Sequence, residues 1–239
     1  MKICIIGHTG FVGQAIYNYF INKHEVYGIN SKTKIIPKHK FDVIINCAGN
    51  AKKYLAYENP SKDLLNNIAP FNIILQMKFK NFIHISSIDA SFTPSNNYAI
   101  SKLIAEKCSK LYFPNSTILR LGGLIGNNLK KNVIYDITHN KNLYVSLNSI
   151  FNFISTTEVA KIIEKIIELN IWEKTINISS CKSISVKEII NEASKYSIIF
   201  TKSEGDIKEI YKKINTKTLN KFFTTKTSLY YIKEYFKNY

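Results

Sequence analysis

Apolar residues come in short unbroken runs, and stretches with helical spacing lie between them. Residues 2–6, 25–29, 42–46, 81–85 and 116–120 are such runs. Their length and their turn-forming flanks read as buried strands. Residues 11–20 read as a helix, with Ile16, Tyr19 and Phe20 on one side. Residues 61–77, with Ser61 as N-cap, and residues 97–111 read as two more. Strand–helix–strand alternation of this kind requires a parallel sheet covered on both faces. The expected class is therefore α/β with a doubly wound parallel sheet. The later half is more mixed. Residues 158–169 form a strongly amphipathic helical pattern, 175–179 a short strand and 186–195 a further helix. The lysine- and aromatic-rich tail from residue 201 is expected to form short helices. No repeat or low-complexity linker separates independent domains.

Composition narrows the class. The chain has 239 residues, 45% of them hydrophobic, enough for a sizeable core. No apolar run reaches the length of a membrane-spanning helix. The first run is too short for a signal peptide and ends in a glycine turn. The net charge is +16, which ordinarily raises nucleic acid or an acidic surface as partner. Only Arg120 among the 33 basic residues is arginine, the residue suited to bidentate phosphate and base contacts. The lysines are dispersed, with pairs at 52–53, 130–131 and 212–213 but no block. The charge therefore reads as solvated surface that suits an anionic small substrate, with neither nucleic acid nor membrane as partner. Cys4, Cys47, Cys108 and Cys181 lie far apart without Cys/His clustering, so no metal site is expected. Free thiols in apolar runs point to a reducing, cytoplasmic setting.

The first strand runs directly into Gly7-His8-Thr9-Gly10-Phe11-Val12-Gly13, which opens a helix. Glycines at this spacing permit a tight turn and close approach of a pyrophosphate, and the helix N-terminus offers free N–H groups. His8 is read as a loop residue and His84 as a packed one. An NAD site ordinarily carries an acid at the end of the second strand, on the ribose hydroxyls. Here Asn30, Ser31, Lys32 and Lys34 follow instead, which favours a 2′-phosphate and hence NADP, with NAD as the alternative.

The fourth strand ends at Ser86-Ser87, and Tyr98 and Lys102 follow at i, i+4 on one helix face. A neighbouring ammonium is expected to lower the tyrosine pKa and make Tyr98 a general acid or base. Ser87, at a strand's carboxyl end, is placed to bond the reacting oxygen. The motifs G-H-T-G-F-V-G (7–13), D-V-I-I-N-C-A-G (42–49), F-I-H-I-S-S (82–87) and Y-A-I-S-K (98–102) resemble the extended short-chain dehydrogenase/reductases. These are the NAD(P)-dependent nucleotide-sugar epimerases, dehydratases and reductases. The motifs L-R-L-G-G-L-I-G (119–126), F-I-S-T-T-E-V-A (153–160) and T-I-N-I-S-S (175–180) continue the likeness.

The resemblance implies a Rossmann-like core over residues 1–120 and 150–180. It also implies a small substrate-capping lobe over 121–149 and 181–239. It implies a pyrophosphate loop of Gly7, Gly10 and Gly13 with the N–H groups of Phe11 and Val12. Cys47, Ala48 and Gly49 would pass beside the adenosine and ribose. Ser87, Tyr98 and Lys102 match the catalytic triad, and Lys102 would also hold the nicotinamide ribose. Leu121, Gly122 and Gly123 would line the nicotinamide and sugar, and Asn127 would contact the substrate. Glu158 matches an acidic helix-start position of structural use. A homodimer through helices 61–77 and 97–111 is implied as well.

Three features depart from the family pattern. Ten residues separate Ser87 from Tyr98, fewer than usual. No arginine follows Arg120, so lysines or Asn127, Asn128 and Asn152 must meet substrate phosphates. The chain is also short for the group. The expected activity is NADPH-dependent reduction of a keto group on a nucleotide-linked deoxy-sugar, with Tyr98 as proton donor. A 4-epimerase that retains NAD and a dinucleotide-binding regulator without turnover are the alternatives.

Overall fold

The opening apolar run forms β1 (Lys2–Ile6), and Gly10 starts α1 (Phe11–Phe20). Next come β2 (Glu25–Ile29), β3 (Lys40–Asn46), α2 (Lys53–Glu58), α3 (Pro60–Ile74) and β4 (Lys78–Ser87). A 3-10 turn over Ile88–Ser91 leads towards α4 (Asn97–Tyr112) and β5 (Ser116–Leu121). The structure is a computed structural model that describes residues 1–33, 35–91, 96–210 and 214–239. Lys34 and the pair Lys212-Lys213 lie outside the described residues.

The six-stranded sheet has the order β2-β1-β3-β4-β5-β9, with β9 at Thr175–Ile178, and every pairing in it is parallel. Ile3, Cys4 and Ile5 of β1 are fully buried, as are Ile44 and Ile45 of β3 and Phe82 and Ile83 of β4. Strands apolar on both faces need cover on both faces, which the crossover helices supply. The alternation in the sequence thus appears as the expected α/β architecture. The start of α3 differs from expectation. Its N-cap is Asn59, whose side chain accepts the Lys62 N–H at 2.9 Å, and Pro60 occupies the first turn. Ser61 instead donates its hydroxyl to Asn59 Oδ1. Proline suits that first turn because its missing N–H would have no helical partner.

The remaining elements are β6 (Gly123–Ile125), α5 (Val133–Thr138), β7 (Ile150–Phe151), β8 (Phe153–Ser155), α6 (Thr156–Glu168), β10 (Ile184–Ser185), α7 (Val186–Ser194) and α8 (Ser228–Lys237). The chain divides into two compact units, residues 1–121 with 160–178 and residues 122–159 with 179–239. The sequence reading places 150–180 wholly in the core. In the structure 150–159 and 179–180 group with the second unit, where β8 pairs with β6 and β7 with β10.

Within the second unit, Ser228 Oγ donates to the Lys182 carbonyl at 2.7 Å and accepts the Phe153 N–H at 3.0 Å. Glu158 accepts the Tyr231 hydroxyl at 3.1 Å, which ties the start of α6 to α8. Among the described residues no helix is long and apolar enough to cross a membrane.

Candidate functional site

The glycine loop joins β1 to α1. The Gly7 N–H donates to the Ile29 carbonyl at 2.7 Å, and the Gly10 N–H donates to the Gly7 carbonyl at 2.9 Å. Gly7 has φ +79°, and a Cβ there would lie 2.8 Å from Ala48 N. A Cβ on Gly13 would strike the Gly7 carbonyl. These two glycines serve the tightness of the loop itself. Gly10 is different, because its Cβ would meet only Gly7 O, at 3.3 Å. It is the N-cap of α1, and no side chain caps the helix among the described residues. The first-turn N–H groups of Phe11, Val12 and Gly13 therefore face a glycine-only approach, a fit for a pyrophosphate. His8 packs its ring on Tyr17 at 5.4 Å and beneath Gly28, whose Cβ would lie 2.5 Å from it.

At the end of β2, Asn30 Oδ1 accepts the Lys32 N–H at 2.9 Å, and Thr33 Oγ1 accepts the Asn30 N–H at 3.0 Å. The asparagine folds its own turn, and Ser31 and Lys32 are exposed on it.

The segment Cys47-Ala48-Gly49 leaves β3 under tight control. Cys47 N–H donates to the Ile6 carbonyl, and Asn46 Oδ1 accepts the Ala48 N–H at 3.1 Å. Asn46 Nδ2 donates to His84 Nδ1 at 3.2 Å. Burial, with the charge of Lys102 second, pushes the His84 pKa from 6.5 down to about 3. A depressed histidine pKa gives stability that is complete above pH 6.5 and lost as pH falls towards 3, at about 1.4 kcal/mol per pH unit. His84→Gln, neutral at every pH, is expected to flatten that acid limb. Urea midpoints at neutral and mildly acid pH should then differ less than in the parent chain. An equal difference in both proteins would contradict this assignment.

Ser87 is the last residue of β4 and stands in register with Leu121, the last of β5. Tyr98 lies in the first turn of α4, 7% exposed, with Lys102 one turn later and also 7% exposed. The Lys102 ammonium sits 5.6 Å from the centre of the Tyr98 ring and donates to Asn67 Oδ1 at 2.9 Å. Ser87, Tyr98 and Lys102 thus belong to the same unit as the glycine loop, at the carboxyl side of the sheet. Gly122, Gly123 and Asn127 belong to the other unit. There Gly123 lets β6 approach β8, since a Cβ would lie 2.6 Å from the Asn152 carbonyl. Asn127 is exposed in the turn after β6.

One expectation is reversed. The Tyr98 pKa lies above the ordinary phenol range and is not lowered by Lys102. Burial is the main cause and the Asp89 carboxylate the next, with a smaller push from Asp63. A side-chain hydrogen bond with Ser87 and the charge of Lys53 offset part of the rise. The i, i+4 spacing places lysine and tyrosine together, but desolvation of the phenolate wins. Tyr98 is therefore a protonated phenol at neutral pH, in the form that donates.

Sequence reasoning also missed a buried polar group behind the lysine. Asp63 is fully buried; its Oδ1 accepts from Asn50 Nδ2 at 2.6 Å, and its carbonyl accepts from Asn67 Nδ2 at 2.9 Å. Asn67 Oδ1 accepts the hydrogen bond from the Lys102 ammonium, and Gly49 leaves the room, since a Cβ there would lie 2.7 Å from that oxygen. The available signal was polar residues at i, i+4 (63 and 67) on the face of α3 that also buries Phe71 and Ile74.

A family model described as NAD dependent epimerase/dehydratase family matches residues 3–179. The chain belongs to that family. It is thus an enzyme of the extended short-chain dehydrogenase/reductase group. No curated protein matches the chain in sequence. Solved structures share the fold at low identity. A tyrosine-to-phenylalanine mutant of UDP-glucuronic acid 4-epimerase from Bacillus cereus, in complex with UDP-4-deoxy-4-fluoro-glucuronic acid and NAD, is 16% identical. It superposes with a TM-score of 0.82 over 99% of this chain and 98% of that one. UDP-N-acetylglucosamine 4-epimerase from Methanobrevibacter ruminantium is 20% identical, with a TM-score of 0.80 over 99% and 97%. RMD from Pseudomonas aeruginosa, complexed with NADPH, is 17% identical, with a TM-score of 0.80 over 100% and 99%.

Proposed function

We propose that this family member is an NADP-dependent reductase of a keto group on a nucleotide-linked deoxy-sugar. The observation that carries the reading is the placing of Tyr98, a buried phenol in the first turn of α4 with the Lys102 ammonium 5.6 Å from its ring centre. Bound at the glycine loop, the dinucleotide supplies hydride. Ser87 orients the carbonyl oxygen, and Tyr98 Oη gives it the proton. Lys102, held by Asn67, faces the developing phenolate with a positive charge. The turn Asn30–Lys32 adds no carboxylate to repel a 2′-phosphate, and Lys32 adds a cation. The fold-level likeness to RMD with NADPH agrees with this reading.

A 4-epimerase with retained NAD is the second reading, favoured by the likeness to two 4-epimerases. The purified protein separates the two. The reductase is expected to be isolated free of dinucleotide and to bind NADPH exchangeably and more tightly than NADH. NAD that survives dialysis and is identified by mass spectrometry would favour the epimerase. A homodimer through α3 and α4, where Leu65, Ile100 and Ile104 are exposed, belongs to the same proposal. It is read from the same preparation as a solution mass against 27.5 kDa for one chain.

A further inference from the structure

Reduction consumes the Tyr98 proton at every turnover, and a phenol this deeply buried needs a route for its return. Two polar branches leave the Tyr98 neighbourhood. One runs through Lys102 to the Asn67 amide and on to Asp63, and it leads inward to a fully buried carboxylate. The other runs outward. Ser87 Oγ donates to Asp89 Oδ2 at 2.8 Å, and the Asp89 N–H returns to the same Oγ at 3.3 Å. The second carboxylate oxygen, Oδ1, lies 3.2 Å from Lys53 Nζ. The Asp89 side chain is 12% exposed and that of Lys53 45%. Ser87 itself bonds the Tyr98 side chain.

Local structure explains the line-up. β4 ends at Ser87, and the 3-10 turn that follows buries Ile88 and Ala90. That anchoring leaves Asp89 beside the serine two residues before it. Lys53, in the first turn of α2, closes the chain at the surface.

We propose that Ser87, Asp89 and Lys53 form a proton relay that returns a proton from solvent to Tyr98 after each reduction. The inference rests on the reductive reading above. The keto carbon gains hydride and its oxygen takes the phenolic proton, which leaves Tyr98 as phenolate. The Ser87 hydroxyl swings from Asp89 to Tyr98 and gives up its proton. Ser87 Oγ takes a replacement from the Asp89 carboxyl, which has been protonated from Lys53 or from water beside it. Net, one proton passes from solvent to Tyr98 Oη, and no carbon bond changes in the relay. Asp89 and Lys53 act through Ser87 and are positioning residues. Epimerisation returns its proton within the turnover and has no need of this path.

Asp89→Asn tests the relay, because the amide keeps the shape and an acceptor for Ser87 but does not shuttle protons. In the ligand-free chain, hydrogen–deuterium exchange of the Tyr98 hydroxyl is read from the isotope shift on its ring carbon by NMR. Exchange is expected to slow at least about tenfold in Asp89→Asn. Added formate or imidazole should restore it, and Asp89→Glu should retain it. With NADPH and a keto-sugar nucleotide, the variant should give one fast turnover per site followed by a slow phase that the same small acids accelerate. Unchanged hydroxyl exchange in Asp89→Asn overturns the relay. Slowed exchange that small acids do not rescue also overturns it and marks Asp89 as structural. Failure of the parent chain to oxidise NADPH with any keto-sugar nucleotide would overturn the reductive reading, while the exchange experiment still decides the relay.

Discussion

Tyr98→Phe is expected to keep its fold and its dinucleotide affinity and to lose about 100- to 10,000-fold in turnover. The substitution removes one oxygen and leaves the ring, which is buried in the first turn of α4. Burial and the Asp89 carboxylate hold that oxygen protonated. Its loss therefore removes the proton donor and little else. The measurement pairs NADPH oxidation on a keto-sugar nucleotide with a fluorescence titration of NADPH. Retained turnover would show that the proton comes from elsewhere. Turnover and affinity lost together would make Tyr98 a packing residue. A dinucleotide-binding regulator predicts a third pattern, in which Tyr98→Phe leaves every measurable function intact.

The largest effect on stability is expected from Glu106→Ala. Arg120, the chain's one arginine, donates from Nε to Glu106 Oε1 at 2.8 Å and from Nη2 to Oε2 at 2.7 Å. Ser86 adds its hydroxyl to Oε1 at 2.6 Å. The Glu106 side chain is 3% exposed and that of Arg120 17%. Removing the carboxylate leaves a guanidinium and a hydroxyl without their acceptor, at a cost of about 3–5 kcal/mol. Replacing both charged residues with apolar ones of similar size should cost much less, since neither is then left unpaired. Urea denaturation of the single and double variants checks both statements. A loss below about 1 kcal/mol for Glu106→Ala, the range of surface pairs, would mean that water reaches the pair.

The arginine also shows where sequence reasoning stops. Its rarity argued against nucleic-acid contacts, but nothing local indicated that it would pair with Glu106. The glycine loop was legible because it is local, with a strand, three glycines and a helix following one another within residues 2–20. The strands of the parallel sheet were legible because burial on both faces leaves them apolar throughout. Helices α2 and α5, six residues each, were not, because so short a span shows no periodicity. β6, β7, β8 and β10 have two or three residues each and exist only through partners distant in the chain. The N-cap of α3 carried its signal in Asn59-Pro60, which outweighs the serine that follows.

The strands and longer helices of the parallel-sheet core, the glycine loop and the placing of Tyr98 and Lys102 on one helix face follow from the amino-acid sequence alone. Each depends on residues within a turn or two of one another. Tertiary structure decided what those groups do to each other. It turned the Tyr98 pKa upward, gave Lys102 to Asn67, set Asp63 behind them and aligned Ser87 with Asp89 and Lys53. These outcomes depend on desolvation and on charges brought by α2, α3 and the 3-10 turn after β4. Both arise only when segments far apart in the chain pack together and water is excluded between them.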